Sequence, residues 1–347
     1  MSDIAAIDLF CGAGGLTHGL IKAGVKVVAG FDIQRSCKYA YERNNAGARF
    51  FDKDVRLLTG IELNSLYPTG SLRLLAGCAP CQPFSTYSQG RDVRSDKKWP
   101  LLYAFSRLIN QSLPELVTME NVPDVTRHEV YHDFVEELKG LGYRVWAQKI
   151  YCPDYGIPQS RNRHVLLASR LADINMLGPL RKPKKYKTVK QTIGRLPPIK
   201  AGEQCEKDRL HIAAGLSSTN MARIKHSKPG GTWRDWPENL RAECHRKESG
   251  KTYVGVYGRM SWDNVSPTIT TQSYGFGNGR FGHPEQDRAI SLREAAMLQT
   301  FPKSYQFLPP GEKVQIAPIG TMIGNAVPVA LGKVIGKSFK QHVLSIN

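Results

Sequence analysis

Between residues 4 and 169 short apolar runs alternate with amphipathic stretches, and this alternation restricts the fold more than any other feature of the chain. Ile4–Phe10, Lys26–Phe31, Arg73–Gly77, Glu115–Met119, Tyr143–Ile150 and His164–Ser169 read as strands, several of them too apolar for a sheet with one wet face. Leu16–Ala23, Ser36–Asn44, Leu102–Ser112 and Val130–Gly140 read as the helices between them. Such alternation predicts an α/β layered fold with a mostly parallel sheet, since parallel neighbours need a crossover that a helix supplies. Around Pro179 the texture changes: Pro183, Pro197 and Pro198 punctuate a Lys-rich run and periodicity fades, which places a domain boundary there. Patterning returns at Ser291–Gln299 and Pro328–His342, both read as helices.

Charge is uneven along this chain. Lys and Arg number 48 against 30 Asp and Glu, a net charge of +18, and residues 170–258 hold 19 of the basic residues with only 8 acidic ones. A polyanionic partner is the natural reading, because Lys and Arg that neutralise phosphates release condensed counterions; a solvated basic face is the alternative. With 41 % hydrophobic and 22 % charged residues the chain can bury a core. No run of about 18 apolar residues is evident, and Met1-Ser2-Asp3 does not resemble a secretory start, so a soluble, cytoplasmic protein without a membrane role is expected. Seven irregularly spaced cysteines argue for reduced thiols rather than a disulfide framework.

The first strand runs into Asp8-Leu9-Phe10-Cys11-Gly12-Ala13-Gly14-Gly15-Leu16, a glycine turn that opens a helix. Such a turn lets a cofactor approach the backbone, although a purely structural turn would look the same. A strict dinucleotide fingerprint would need glycine where Thr17 stands. Asp32, at the end of the second strand, and Asp54 beyond a further short run are candidate partners for hydroxyls or amines.

After the Arg73–Gly77 strand comes Gly77-Cys78-Ala79-Pro80-Cys81-Gln82-Pro83-Phe84-Ser85, where two prolines fix a thiol at the carboxyl rim of the sheet. A redox or zinc pair of Cys78 with Cys81 is the rival reading, but no second pair of ligands at metal spacing accompanies it, so no metal is expected. Asp8–Leu16, Pro80-Cys81-Gln82, Glu120-Asn121-Val122, Gln159-Ser160-Arg161-Asn162-Arg163 and Gly324-Asn325-Ala326-Val327-Pro328 follow in this order. In this set the sequence resembles the cytosine-C5 DNA methyltransferases of the bacterial restriction-modification type, over about residues 4 to 335.

The resemblance implies a Rossmann-like S-adenosylmethionine-dependent methyltransferase domain with a mostly parallel sheet, plus a smaller basic target-recognition domain. It divides the chain into a catalytic domain at 1–175, a recognition domain at 176–285, a return segment at 286–317 and a C-terminal helix at 318–347 that completes the first domain. Cys81 is then the nucleophile that adds to cytosine C6, Glu120 holds the N3 and exocyclic-amine edge, and Asn121 orients the loop beneath. Arg163, and secondarily Arg161, would donate to the cytosine O2, flanking phosphates or the cysteine backbone. Phe10, Gly12 and Gly14 would line the S-adenosylmethionine cleft, with Asp32 at the ribose hydroxyls, Asp54 at the adenine amine, and Asn325 and Val327 completing the pocket. The polar, aperiodic loop Gln82–Pro100 could close over a flipped base.

Double-stranded DNA is the implied partner, a monomer suffices for one flipped cytosine, and a cognate restriction endonuclease could act separately. Lys182, Lys184, Lys185, Lys187 and Lys190 suit phosphates. Arg234, Gln272, Tyr274 and Arg280, on glycine-containing loops, offer base-edge donors, and Ser85, Arg259 and Thr270 join them as DNA contacts. Trp233 and Trp236 read as local core. Cytosine methylation in structured RNA and a non-catalytic DNA-binding protein of the same fold are the remaining readings.

Overall fold

A computed structural model describes residues 3–80, 99–180, 182, 185–250, 252 and 254–346. Cys81, Ser85, Lys184 and residues 82–98 of the proposed closing loop lie outside the described residues. The chain divides into two compact units. The first comprises residues up to Tyr155, Asn162–Leu180 and Ala326 onward; the second comprises Gly156–Arg161 and Arg181–Asn325.

The first unit is built on seven strands, β1 (Ile4–Leu9), β2 (Lys26–Asp32), β3 (Arg49–Asp52), β4 (Leu72–Gly77), β5 (Leu116–Asn121), β6 (Arg144–Tyr151) and β7 (Asn162–Ser169). They lie in the order β3-β2-β1-β4-β5-β7-β6. Only β7 runs against its neighbours β5 and β6, so the sheet is mostly parallel as predicted. β1 and β5 are buried at every position, which is why both are mostly apolar instead of alternating. Helices α1 (Gly15–Lys22), α2 (Lys38–Asn44), α3 (Gly60–Leu66), α4 (Trp99–Ser112) and α5 (Glu129–Gly140) connect the strands.

Ile7, Leu9, Phe31, Leu75, Val117 and Met119 bury one sheet face against Leu63 of α3, Phe105 and Leu108 of α4, and Phe134 and Leu138 of α5. Strand alternation turns Asp8 to the other face, where α1 packs. The last helix of the chain, Val329–Ile346, packs on α1 through backbone approaches that only glycine permits. A Cβ on Gly19 would stand 2.4 Å from the Val329 carbonyl oxygen, and one on Gly332 2.8 Å from that of Leu16.

In the second unit lie α6 (Val189–Ile193), α7 (Ser218–His226), α8 (Glu243–Arg246), α9 (Leu292–Leu298) and α10 (Ile316–Asn325), so the last helix of the chain is α11. Two short pairings, Gln204–Cys205 with Asp208–Ile212 and Gln159–Ser160 with Ser266–Pro267, provide its strands among the described residues. Trp233 and Trp236 are local core, packed with Ile224, Phe276 and Ala289. Around α9 a fully buried Arg288 donates to both oxygens of Glu294, at 2.7 and 2.8 Å, and Ser291 and Glu294 close a capping box. The Gln299 side chain donates to the Ile323 carbonyl. These bonds keep residues 286–325 inside the second unit, whereas the sequence reading treated 286–317 as a separate return segment and began the C-terminal helix at 318. The return to the first unit starts at Ala326. By length and average composition the stretch Ile316–Ile346, which holds α10 and α11, would suffice to cross a membrane, but 78 % of its most apolar window is buried inside the protein, as in a core helix.

Candidate active site

Parallel strands end along one edge of the sheet, and the candidate residues of the first unit gather there. At the end of β1 the chain turns through left-handed backbone at Phe10 (φ 59°), Gly12 (φ 49°) and Gly14 (φ 85°), and open space surrounds the position a Gly12 Cβ would take. The turn is tied to β2: Gly12 N–H donates to Asp32 Oδ2 and Gln34 N–H to Oδ1, both at 2.8 Å. Each Asp32 oxygen retains a lone pair for a further donor. The carbonyl of Val327 closes on Gly15, where a Cβ would stand 2.2 Å from it, so the C-terminal return forms one wall of the turn. A glycine-rich turn beside a carboxylate acceptor fits an adenosine-type cofactor.

Asp54 caps a short 3-10 turn and pairs with Arg56 at 2.5 Å, which holds its carboxyl below the usual range. Asn325 is exposed at the end of α10 in the second unit, and Val327 is buried in the first.

Thr17 explains why the glycine fingerprint is broken. Its hydroxyl donates to Oδ2 of the buried Asp8 at 2.6 Å and lies 3.1 Å from the Tyr41 hydroxyl. Gly30 leaves the space that the Tyr41 ring fills. Asp8 Oδ1 has no partner, and burial pushes the Asp8 carboxyl up to about 7.

The rim of β4 and β5 carries the other cluster. Parallel register sets Gly77 beside Met119, and so brings Cys78 beside Glu120. Glu120 is 3 % exposed, accepts from Cys78 Sγ at 2.9 Å on Oε2, and faces Arg163 Nε at 2.8 Å on Oε1. The Arg163 contact is an ion pair out of line for a hydrogen bond, so Oε1 accepts none. Asn121 donates from Nδ2 to the carbonyl of Ala79 at 3.3 Å while Val122 N–H caps its Oδ1. The last two residues of β5 therefore hold a carboxylate and the chain that enters Pro80-Cys81. Beside Asn121, across the antiparallel pair, His164 shares a 2.7 Å hydrogen bond with the Tyr131 hydroxyl, and burial pushes its imidazole down to about 4.

In the second unit Arg161 donates to the Ile269 carbonyl at 3.0 Å and is buried, so it braces the segment that leads to Thr270. Arg259 is 5 % exposed and donates to carbonyls of Ile224, Ser227, His283 and Gln286, besides pairing with Asp287. With its guanidinium spent inside, it organises the unit and is not presented as a DNA donor. Arg280 donates to the Gly231 carbonyl and Arg234 lies over the Trp233 ring, which ties together the loops that carry them. Gln272 is exposed, whereas Thr270 and Tyr274 are half-buried. Lys182, Lys185, Lys187 and Lys190 are all exposed.

The sequence offers Cys78 as a metal or redox partner of Cys81 and as a departure near the cofactor pocket, and the contact with Glu120 is not read from it, although strand register was the available signal. The roles of Thr17 and His164 left no sequence signal, since each depends on a partner more than eight residues away.

The model of the C-5 cytosine-specific DNA methylase family matches residues 4–341. The chain is 55 % identical to Type II methylase M.HgiDII of Herpetosiphon aurantiacus over 342 residues, covering 98 % of this chain and 96 % of that one. It is 31 % identical to Type II methyltransferase M.PspPI of Psychrobacter sp., over 96 % of this chain and 78 % of that protein. Among solved structures, a prophage-encoded E. coli protein described as a DNA modification methyltransferase aligns with a TM-score of 0.76 at 22 % identity, over 99 % of this chain and all of that one. Spodoptera frugiperda DNMT2 aligns with a TM-score of 0.64 at 17 % identity over 99 % of each chain, a likeness of fold. A strand order that brings Glu120, Asn121, Arg163 and the glycine turn to one edge, and a family match across nearly the whole length, make this chain a member of the C-5 cytosine-specific DNA methylase family.

Proposed function

We propose that the chain methylates C5 of a cytosine rotated out of duplex DNA, at one short target sequence, through a covalent bond between Cys81 and cytosine C6. Cytosine C5 is a weak nucleophile, and addition of the thiolate to C6 makes it an enamine carbon able to attack a methyl group. Loss of the C5 proton and departure of Cys81 then restore the aromatic ring. S-adenosylmethionine, when bound, supplies an electrophilic methyl group on a sulfonium.

The protein's part is placement. Glu120, fixed between Cys78 and Arg163, is suited to the N3 and exocyclic-amine edge of the base, where charge builds during attack. Arg163 carries a positive charge to the same place, and Asn121 holds the chain that delivers Cys81. The glycine turn, Phe10 and Asp32 would hold the cofactor's adenosine and methionine parts, with Asp54 and Asn325 as further candidates. Extruding the base costs a few kcal/mol, which the pocket contacts offset.

Exposed lysines of the second unit suit phosphates, and Gln272, Tyr274 and Arg280 suit bases. The Type II naming of the relatives suggests a role in protecting DNA from a separately acting endonuclease, for which a cytoplasmic monomer would suffice.

The observation that carries this reading is the buried Glu120 held by Cys78 and Arg163 next to the entry of Pro80-Cys81. Bisulfite sequencing of plasmid DNA from a cytosine-methylation-free host expressing the chain tests it. Protected cytosines confined to one short motif are expected, and their loss on Cys81→Ser. Uniform conversion in the presence of soluble, folded protein overturns the DNA reading.

A further inference from the structure

We infer that Cys78 is a positioning residue for methyl transfer, which selects the oxygen of Glu120 that meets the base. The inference rests on the reading that Glu120 engages the target cytosine.

Three observations carry it. Cys78 follows directly on Gly77, which is paired with Met119, and its N–H donates to the Leu9 carbonyl of β1, so the sheet edge brings it to Glu120. The two carboxylate oxygens are treated differently: Oε2 accepts from the Cys78 thiol at 2.9 Å, whereas Oε1, ion-paired with Arg163 at 2.8 Å, accepts no hydrogen bond. Glu120 is 3 % exposed, so an oxygen left without a donor is costly until something supplies one. A base edge with an N–H satisfies that need at Oε1. The thiol on Oε2 stops the carboxylate from rotating to offer both oxygens equally and limits the geometries a bound base can take. Cys78 thus acts through Glu120.

Loss of the donor should lower turnover while binding holds. Cys78→Ala is expected to reduce kcat about tenfold on unmethylated plasmid DNA, with the KM values for DNA and S-adenosylmethionine within about twofold. Cys78→Ser, which keeps a donor, should recover kcat to within about threefold of the parent. In a Glu120→Gln background the Cys78→Ala change should have no further effect, since residues acting on one group are not additive.

Parental kcat in Cys78→Ala, equal losses in the Ala and Ser variants, or an additive loss on top of Glu120→Gln would each overturn the inference. Should Cys78→Ala fold poorly by circular dichroism, Cys78→Val, similar in volume but without a donor, takes its place in the same comparison. Full activity in Glu120→Gln alone would instead remove Glu120 from the mechanism, and so distinguishes failure of the underlying reading from failure of the Cys78 proposal.

Discussion

Asp8 and His164 are buried titratable groups that oppose each other in pH. The Asp8 carboxyl is raised to about 7, so its contribution to stability is complete below the ordinary aspartate value and is lost as pH rises through about 7. His164 is lowered to about 4, so its contribution is complete above the ordinary histidine value and is lost as pH falls toward 4. The two windows overlap, and the parent's stability curve conceals both. Asp8→Asn, which preserves an acceptor for Thr17, should isolate the first: its stability relative to the parent should grow from pH 4 to 7, to at most about 4 kcal/mol. Urea unfolding at several pH values measures this, and a constant difference would mean that Asp8 titrates normally in the fold.

At the scale of elements, helix α1 depends on α11 more than on its own sequence. A Cβ on Gly19 would meet backbone atoms, the Val329 carbonyl oxygen at 2.4 Å and the Lys333 nitrogen at 2.6 Å, which cannot swing aside as a side chain can. Gly19→Ala should therefore cost about 2 kcal/mol or more, despite alanine's better helix propensity. Gly140→Ala, at the end of α5 where nothing lies within 4 Å, should be neutral or slightly stabilising. Thermal unfolding of the two variants separates contact from propensity.

No strand is read at β3, which is four residues long and too short for a period, and the reading of one helix from 318 onward merges α10, with its Pro318, Gly320 and Gly324, with α11. Gly320 and Gly324 are there because Tyr274 and the Thr270–Thr271 backbone lie against the helix, and such long-range packing has no local sequence signature. The strand that carries Glu120 was legible, but it runs on through Glu120 and Asn121 instead of ending at Met119, because register with β7 continues to Asn121.

At the scale of the whole molecule, charge is the property read most directly from sequence. The second unit carries 25 Lys and Arg against 12 Asp and Glu. Replacing Lys182, Lys185, Lys187 and Lys190 by glutamine should make the log–log salt dependence of DNA binding shallower by about 3 to 4, if each lysine meets one phosphate. Fluorescence anisotropy across a salt series measures the slope, and an unchanged slope would assign phosphate contact to other residues. Arg259 illustrates the limit of a charge map, because an arginine spent on five internal acceptors adds to the count but not to the surface.

The second unit interrupts the first, which is completed only by residues from Ala326 onward. During synthesis α1 leaves the ribosome with Gly15 and Gly19 uncovered, and their partners in the return segment and α11 are made last. The wall of the glycine turn cannot form on a nascent chain that stops anywhere within the second unit. A truncated translation product therefore lacks that wall, and under the proposed function the order of synthesis itself guards against methyl transfer before the second unit has been made.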